Sequence, residues 1–433
     1  MKITMKVEKQ SSKFVKPFDP TPATLGYYRV GCIDELSPFA YVGIVLFYSL
    51  NSNNHKSSFV VRLEKSLEKT LTRLYPLAGR YADKIQTVEC NDEGAQLIHA
   101  KVNIKLQDFL GLEENIEMVD EFIPFKSSDS LVFSDPLLAI QLTVFECGGI
   151  SVGVSVAHKI ADASTICTFL NEWAFMNREE NVTEFLGSGF NSSLLFPPRG
   201  ERPIAPPTHK SDVMCGKYTR KKLSFTESAI SNMKAKAIAD GKINTCNLSK
   251  VQLVLGIIWK ALLGVDRAIH NITRESILLQ PVNLRGKMAS LIPKDSCGNF
   301  FAVCATNSGI AETTQELVHC LSDSVKRITY NYSKVYHNTE EGQMMVLNSH
   351  LRIADVPEST NAIRLTSWCK FPFYETDFGF GRPIWVAPGT VPFRNSGCLI
   401  DDPQGNGVEA YVVLEVKDLP YFEEALDVNV FGA

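Results

Sequence analysis

Three stretches of the chain carry a clear hydrophobic period. Between Ser58 and Leu74, the residues Leu63, Leu67, Leu71 and Leu74 recur at spacings of three and four. Arg62, Glu64, Lys65, Glu68 and Lys69 take the other side, a pattern that predicts an amphipathic helix. Pro76 and Gly79, in Tyr75-Pro-Leu-Ala-Gly-Arg80, stop it and turn the chain. From Leu138 to Ala157 the period falls to two. Leu138, Ile140, Leu142 and Val144 alternate, Cys147-Gly148-Gly149 supplies a turn, and Ile150, Val152, Val154 and Val156 alternate again. This predicts a β-hairpin with alternate residues on one face. Its second strand ends at His158, and a helix follows Asp162 with Ile166, Phe169, Leu170 and Trp173 on its apolar side.

The second half repeats the mixture without repeating the sequence. Helices are predicted at about 249–263, with Ser249 and Gln252 as a capping box, and near 313–328. An apolar strand ends in Gln280-Pro-Val-Asn-Leu-Arg285, and further apolar segments run to Glu415. Between the halves lies Phe196–Lys210, where five prolines forbid regular structure and favour an extended crossover. A chain of 433 residues is too long for one ordinary core. The expected division is an N-terminal domain at 1–195, a crossover at 196–215 and a C-terminal domain at 216–433.

Composition narrows the function classes. Hydrophobic residues at 45% and charged residues at 21% are the balance of a soluble globular protein. A net charge of −4 with no Lys/Arg-rich run argues against a nucleic-acid partner. No stretch reaches the roughly 18 apolar residues of a membrane span, and the polar start lacks a signal-peptide core. Eleven scattered cysteines without a Cys-x-x-Cys indicate neither a disulfide framework nor a zinc site. The expected compartment is the cytosol, so the five Asn-x-Ser/Thr sequons are read as chance.

The sharpest chemical candidate is His158-Lys-Ile-Ala-Asp162, at a strand-to-helix junction. Imidazole titrates near neutral pH and can take a proton from an alcohol and return it to a leaving thiolate. Asp162 could orient the ring or lock the loop by pairing with an arginine. A strand-end histidine bonded to backbone is the plain alternative, since this spacing alone is common. Gly149-Ile-Ser-Val-Gly153 fits the Gly-x-Ser-x-Gly pattern of a hydrolase elbow. The valines at 152, 154 and 156, however, carry the strand through Ser151 where a helix should begin. Gly379 and Gly381, between Phe378 and Phe380, suit a tight loop braced by rings. Arg285 closes its strand either as a solvated end or as the partner of a buried carboxylate.

Taken in order, these segments resemble the BAHD acyltransferase family. The matching pieces are Tyr75-Pro-Leu-Ala-Gly-Arg80, the Gly148-Gly149 hairpin leading to His158 and Asp162, Val282-Asn-Leu-Arg285, Gly298-Asn299 and Asp377-Phe-Gly-Phe-Gly381. The resemblance implies an α/β fold of two chloramphenicol-acetyltransferase-like domains. Each has a mostly antiparallel sheet flanked by helices, and an active-site channel runs between them. It implies acyl-CoA as co-substrate, no permanently bound cofactor or metal, a small-molecule alcohol acceptor and a monomer. His158 is then the general base and the Trp368 indole N–H a candidate oxyanion donor. Asp162 would pair with Arg285, Asp377, Gly379 and Gly381 would form an architectural loop, and Ser249, Lys250 and Asn299 would meet coenzyme A.

Two departures refine the resemblance. Phe380 stands where the family has tryptophan, which keeps the ring and removes the N–H. The Tyr-Phe-Gly-Asn-Cys signature of malonyl transfer to flavonoid glucosides is missing around Cys297-Gly-Asn-Phe300, which favours an acetyl or other short aliphatic donor. The competing readings are a non-catalytic family member that binds a partner, and a serine hydrolase acting through Ser151.

Overall fold

A computed structural model describes residues 5–49, 56–82, 86–127, 129, 132–179, 188–199, 217–239, 248–309, 311, 313–391 and 393–426. The chain forms two compact units, each with its own sheet. The first comprises Met1–Ala205, Pro293–Phe300 and Phe371–Thr390, and the second Pro206–Ile292, Phe301–Lys370 and Val391–Ala433.

The first unit is built on a six-stranded sheet in the order Val7–Val15, Ala95–Val102, Leu138–Phe145, Ile150–Ala157, Tyr41–Tyr48, Trp385–Pro388. Only the Ala95–Val102 and Leu138–Phe145 pair is parallel. The hairpin is present, with Phe145 and Gly149 bonded across a turn in which Gly148 has φ +90°. One expectation changes here. Both faces of the hairpin strands are covered, and Ser151, Ser155, Gln141 and Thr143 on the polar alternate positions are fully buried. The reason is position: these are interior strands of a sheet with layers on both sides.

One layer consists of helices Lys56–Arg73 and Ala163–Arg178. They bury the leucines at 63, 67 and 71 and Ile166, Phe169, Leu170 and Trp173. The Trp173 indole donates to the Leu63 carbonyl at 3.0 Å and to Ser66 Oγ at 3.1 Å, so a buried polar tip is satisfied where the helices meet. On the sheet's other side Phe47 packs among Phe109, Phe122, Phe145 and Trp385. Gly153 is required there, because a Cβ on it would meet the Phe122 carbonyl oxygen at 1.8 Å.

The second unit has the sheet order Phe301–Asn307, Ser276–Asn283, Asn361–Ser367, Ser396–Asp401, Val408–Glu415, Tyr218–Phe225, with two parallel pairs among five. Helix Lys250–His270 is longer than its apolar period predicts and buries Leu253, Val254, Ile257, Ile258 and Leu262 against that sheet and helix Thr314–Tyr332. The latter starts with a reciprocal cap between Thr313 and Glu316. At Ser249 the hydroxyl accepts from the Val251 amide at 3.3 Å, a simple cap and not the predicted box with Gln252.

The expected boundary needs correction. Segments 293–300 and 371–390 were assigned to a C-terminal domain at 216–433, yet they belong to the first unit. Trp385–Pro388 pairs antiparallel with Tyr41–Tyr48 and completes the first sheet, which brings the Asp377–Gly381 loop with it. Most of the proline-rich crossover, 200–215, lies outside the described residues.

Candidate active site

His158 follows the last residue of the Ile150–Ala157 strand. Its amide donates to the Ala40 carbonyl at 2.8 Å, and the Ile160 amide returns to the Ala157 carbonyl, so one turn separates strand from helix. The helix begins because Asp162 caps it: Oδ1 accepts from the Thr165 amide at 2.9 Å and lies 3.0 Å from Thr165 Oγ1. A carboxylate at that position also favours the positive end of the helix dipole. The other oxygen, Oδ2, accepts from the Phe300 amide at 3.0 Å. Asp162 is therefore the joint between the histidine turn and segment 298–300.

That segment is clamped at several points. Thr165 Oγ1 donates to the Gly298 carbonyl at 2.8 Å, and the Gly298 amide lies 3.0 Å from the same hydroxyl. Gly298 has φ +129°, and an added Cβ would lie 2.5 Å from that of Ser192, so no larger residue fits. Asn299 is fully buried, and its Nδ2 donates to the His158 carbonyl at 2.8 Å and to Asp34 Oδ1 at 2.7 Å.

Burial lowers the His158 pKa below the ordinary histidine value. Its own main chain, the Asp162 charge and a side-chain hydrogen bond with Asn299 oppose that shift, and Lys159 adds to it. The direction keeps the imidazole neutral and able to accept a proton near pH 7.

The remaining predicted residues divide by unit. In the first, Asp377 Oδ1 accepts three amides, from Gly379 at 2.7 Å, Phe380 at 3.1 Å and Gly381 at 2.9 Å. Gly379 and Gly381 have φ of +95° and +106°, which explains the glycines. Phe380 packs edge-on against Tyr48 and Phe59, with centroids 4.8 and 4.5 Å away. The phenylalanine thus does the packing expected of the ring. Ser151 is the second residue of the Ile150–Ala157 strand, fully buried between Phe47 and Thr143 in register; the strand continues for six more residues, which removes the strand–turn–helix context of a hydrolase elbow.

In the second unit, Arg285 is buried and its guanidinium donates to Asn283 Oδ1 at 3.2 Å. The Trp368 amide donates to the Leu399 carbonyl at 2.7 Å, and its ring is buried.

Two residues expected at coenzyme A have local partners in this structure. Asn299 was expected at the donor side, but its amide is enclosed against Asp34 and His158. Lys250 was expected to meet phosphate. Its ammonium donates to the Gly405 and Gly407 carbonyls at 2.8 and 3.1 Å and pairs with Asp401 Oδ1 at 2.7 Å. Asp34 was missed altogether. The available signal was an acidic pair, Asp34-Glu35, inside an otherwise small and apolar run from Val30 to Phe39.

Comparison with known proteins decides the family. The model of the Transferase family matches residues 5–428. The chain belongs to the BAHD acyltransferases. It is an acyl-CoA-dependent O-acyltransferase. It is 31% identical to a pelargonidin-glucoside 4'''-malonyltransferase of Salvia splendens, over 99% of this chain and 100% of that one. It is 32% identical to acetyl-CoA-benzylalcohol acetyltransferase of Clarkia breweri, covering 97% and 98%. Vinorine synthase of Rauvolfia serpentina is 31% identical, covering 95% of each chain. The crystal structure of vinorine synthase superposes with a TM-score of 0.80, covering 98% of this chain and 100% of that one at 28% identity. The fold is thus the chloramphenicol-acetyltransferase-like one that the resemblance implied. Among the described residues no helix is long and apolar enough to cross a membrane.

Proposed function

We propose that this BAHD member transfers an acetyl or other short aliphatic acyl group from its coenzyme A thioester to a hydroxyl of a plant specialised metabolite. His158 acts as general base, and transfer is direct, within a ternary complex. The observation that carries the reading is the placement of His158 at a strand end, its main chain held by Ala40 and Asn299, where burial lowers the ring's pKa and favours the neutral form. Alcohols need such a base to become nucleophiles. The alkoxide attacks the thioester carbonyl, the tetrahedral oxyanion collapses, and the thiolate leaves with the proton returned from the imidazolium. The oxyanion requires a preorganised donor, and the Trp368 indole N–H is the residue proposed for it. Asp162 and Arg285 are proposed to form a pair that fixes the histidine turn, and Ser249 to help cap the donor's phosphates. The short donor is favoured because the malonylation signature is missing at 297–300. The protein is proposed to be cytosolic and monomeric.

The test is thiol release from acetyl-CoA with a panel of alkaloid, terpenoid, phenolic and sugar alcohols, with His158→Ala alongside. Acceptor-dependent release that vanishes in the variant is the expected result. Full activity in folded His158→Ala would overturn the mechanism, and silence with every donor despite measurable coenzyme A binding would favour a non-catalytic binding role.

A further inference from the structure

Asp34 is the most completely enclosed carboxylate near the histidine turn, with no exposed surface at all. Oδ1 accepts from the Asn299 amide at 2.8 Å and from Asn299 Nδ2 at 2.7 Å. Oδ2 accepts from the Gly31 amide at 2.8 Å and from Ser192 Oγ. Ser192 is held in turn by Tyr28, whose hydroxyl lies 2.6 Å from Ser192 Oγ and 3.2 Å from its amide nitrogen. Four donors on one carboxylate offset the cost of burying it, although burial still raises its pKa. A fully enclosed acid with that many dedicated donors is an expensive way to fill space. A leucine of similar volume packs a core without needing any of them.

The second proton of Asn299 Nδ2 shows what the acid is for. It goes to the His158 carbonyl. An amide is planar, so fixing one Nδ2 proton on Asp34 fixes the direction of the other. Asp34 also holds the Asn299 main chain, which prevents the amide from being re-aimed by a backbone shift. Resting on the reading of His158 as the base, we propose that Asp34 is a positioning residue for catalysis, which acts through Asn299 to hold His158 at the strand end. Tyr28 and Ser192 form the outer part of the same relay. Asp162 holds the turn from the start of the helix, and Asp34 holds it through Asn299; both bond the segment at 298–300.

The decisive variant is Asp34→Asn, which keeps the shape but places an NH2 group against at least one existing N–H donor, whichever way it is turned. Its kcat is expected to fall about 10²-fold with the acyl-CoA KM unchanged. In Asp34→Asn combined with Asn299→Ala, kcat should be no lower than in the worse single variant, because both act through one bond. The second readout does not depend on turnover: the imidazole titration of His158 by NMR of histidine-labelled protein, assigned by the signal lost in His158→Gln. That signal is expected to move in Asp34→Asn. An unmoved signal with parental kcat in a folded variant overturns the proposal, and so does a loss of kcat fully accounted for by the unfolded fraction. Should Asp34→Asn not fold, Ser192→Ala removes one of the four donors and carries the same test, with an expected loss in kcat of about tenfold. If the parent protein transfers no acyl group, the functional reading fails on that result, and the His158 titration still decides the relay.

Discussion

Asn299 and His158, 141 positions apart in the sequence, are joined by a 2.8 Å hydrogen bond from the asparagine Nδ2 to the histidine carbonyl. The bond falls on the main chain of His158, so it fixes where the imidazole begins. The predictions below follow from that turn and from the sheet that ends in it.

The pH dependence has a definite sign. Burial lowers the His158 pKa from 6.5, so the essential neutral form persists to more acidic pH than in a free histidine. The acid limb of kcat/KM should therefore lie below 6.5, with a plateau already reached at pH 7. Stability moves the same way. The folded state binds the His158 proton less readily than the unfolded chain, so this contribution is present above 6.5 and lost as pH falls through the folded pKa. A pH–rate profile with its limb above 6.5 would contradict the assignment.

Asp162 should prove structural before it proves chemical. Asp162→Ala removes a helix cap, a loss of about 1 kcal/mol, and leaves the Phe300 amide without its acceptor, a further cost of about 1–3 kcal/mol. Urea unfolding should show a lower midpoint at unchanged slope. Asp162→Asn keeps the capping oxygen and should fall between the two proteins.

Ser151 and Gly153 form a contrasting pair on one strand. Among the described residues the buried Ser151 hydroxyl has no hydrogen-bond partner, so Ser151→Ala should leave acyl transfer intact and the melting temperature equal or higher. Gly153→Ala must push the Phe122 carbonyl aside. It should cost at least about 3 kcal/mol and reduce soluble yield. Lost transfer in Ser151→Ala would revive the hydrolase reading.

Asp377→Ala should destabilise the loop without a selective effect on acceptor binding, because three amides lose their common acceptor at once. Asp377→Asn retains one oxygen for those amides and should recover most of the stability. Thermal melts of the two variants, set beside the acceptor KM, separate an architectural loop from a binding one.

Much of this was legible in the chain because it depends on local periods. The leucines at 63, 67, 71 and 74 define a helix by spacing, and the His158 strand ends where its alternation ends. Asp34 and Asn299 were not legible as partners, because their 265-residue separation is closed by topology and leaves no local pattern. The return of 371–390 to the first sheet was hidden for the same reason. A four-residue edge strand, Trp385–Pro388, is too short to declare which sheet it joins. The Lys250 contacts were not legible either, because a lysine at a helix start looks alike whether it faces a phosphate or the carbonyls of residues 405 and 407.

The late arrival of Pro293–Phe300 and Trp385–Pro388 matters for how the protein is made. When residue 205 leaves the ribosome, the Tyr41–Tyr48 strand still lacks its outer neighbour, and Asp34 and Asp162 face donors not yet synthesised. At roughly 5–20 residues per second, translation needs on the order of ten seconds or more to reach residue 390. Throughout that interval the nascent first unit presents an open strand edge, and until residue 300 has been made its two carboxylates lack these partners. The histidine turn of this enzyme can therefore close only after more than two-thirds of the chain has been made.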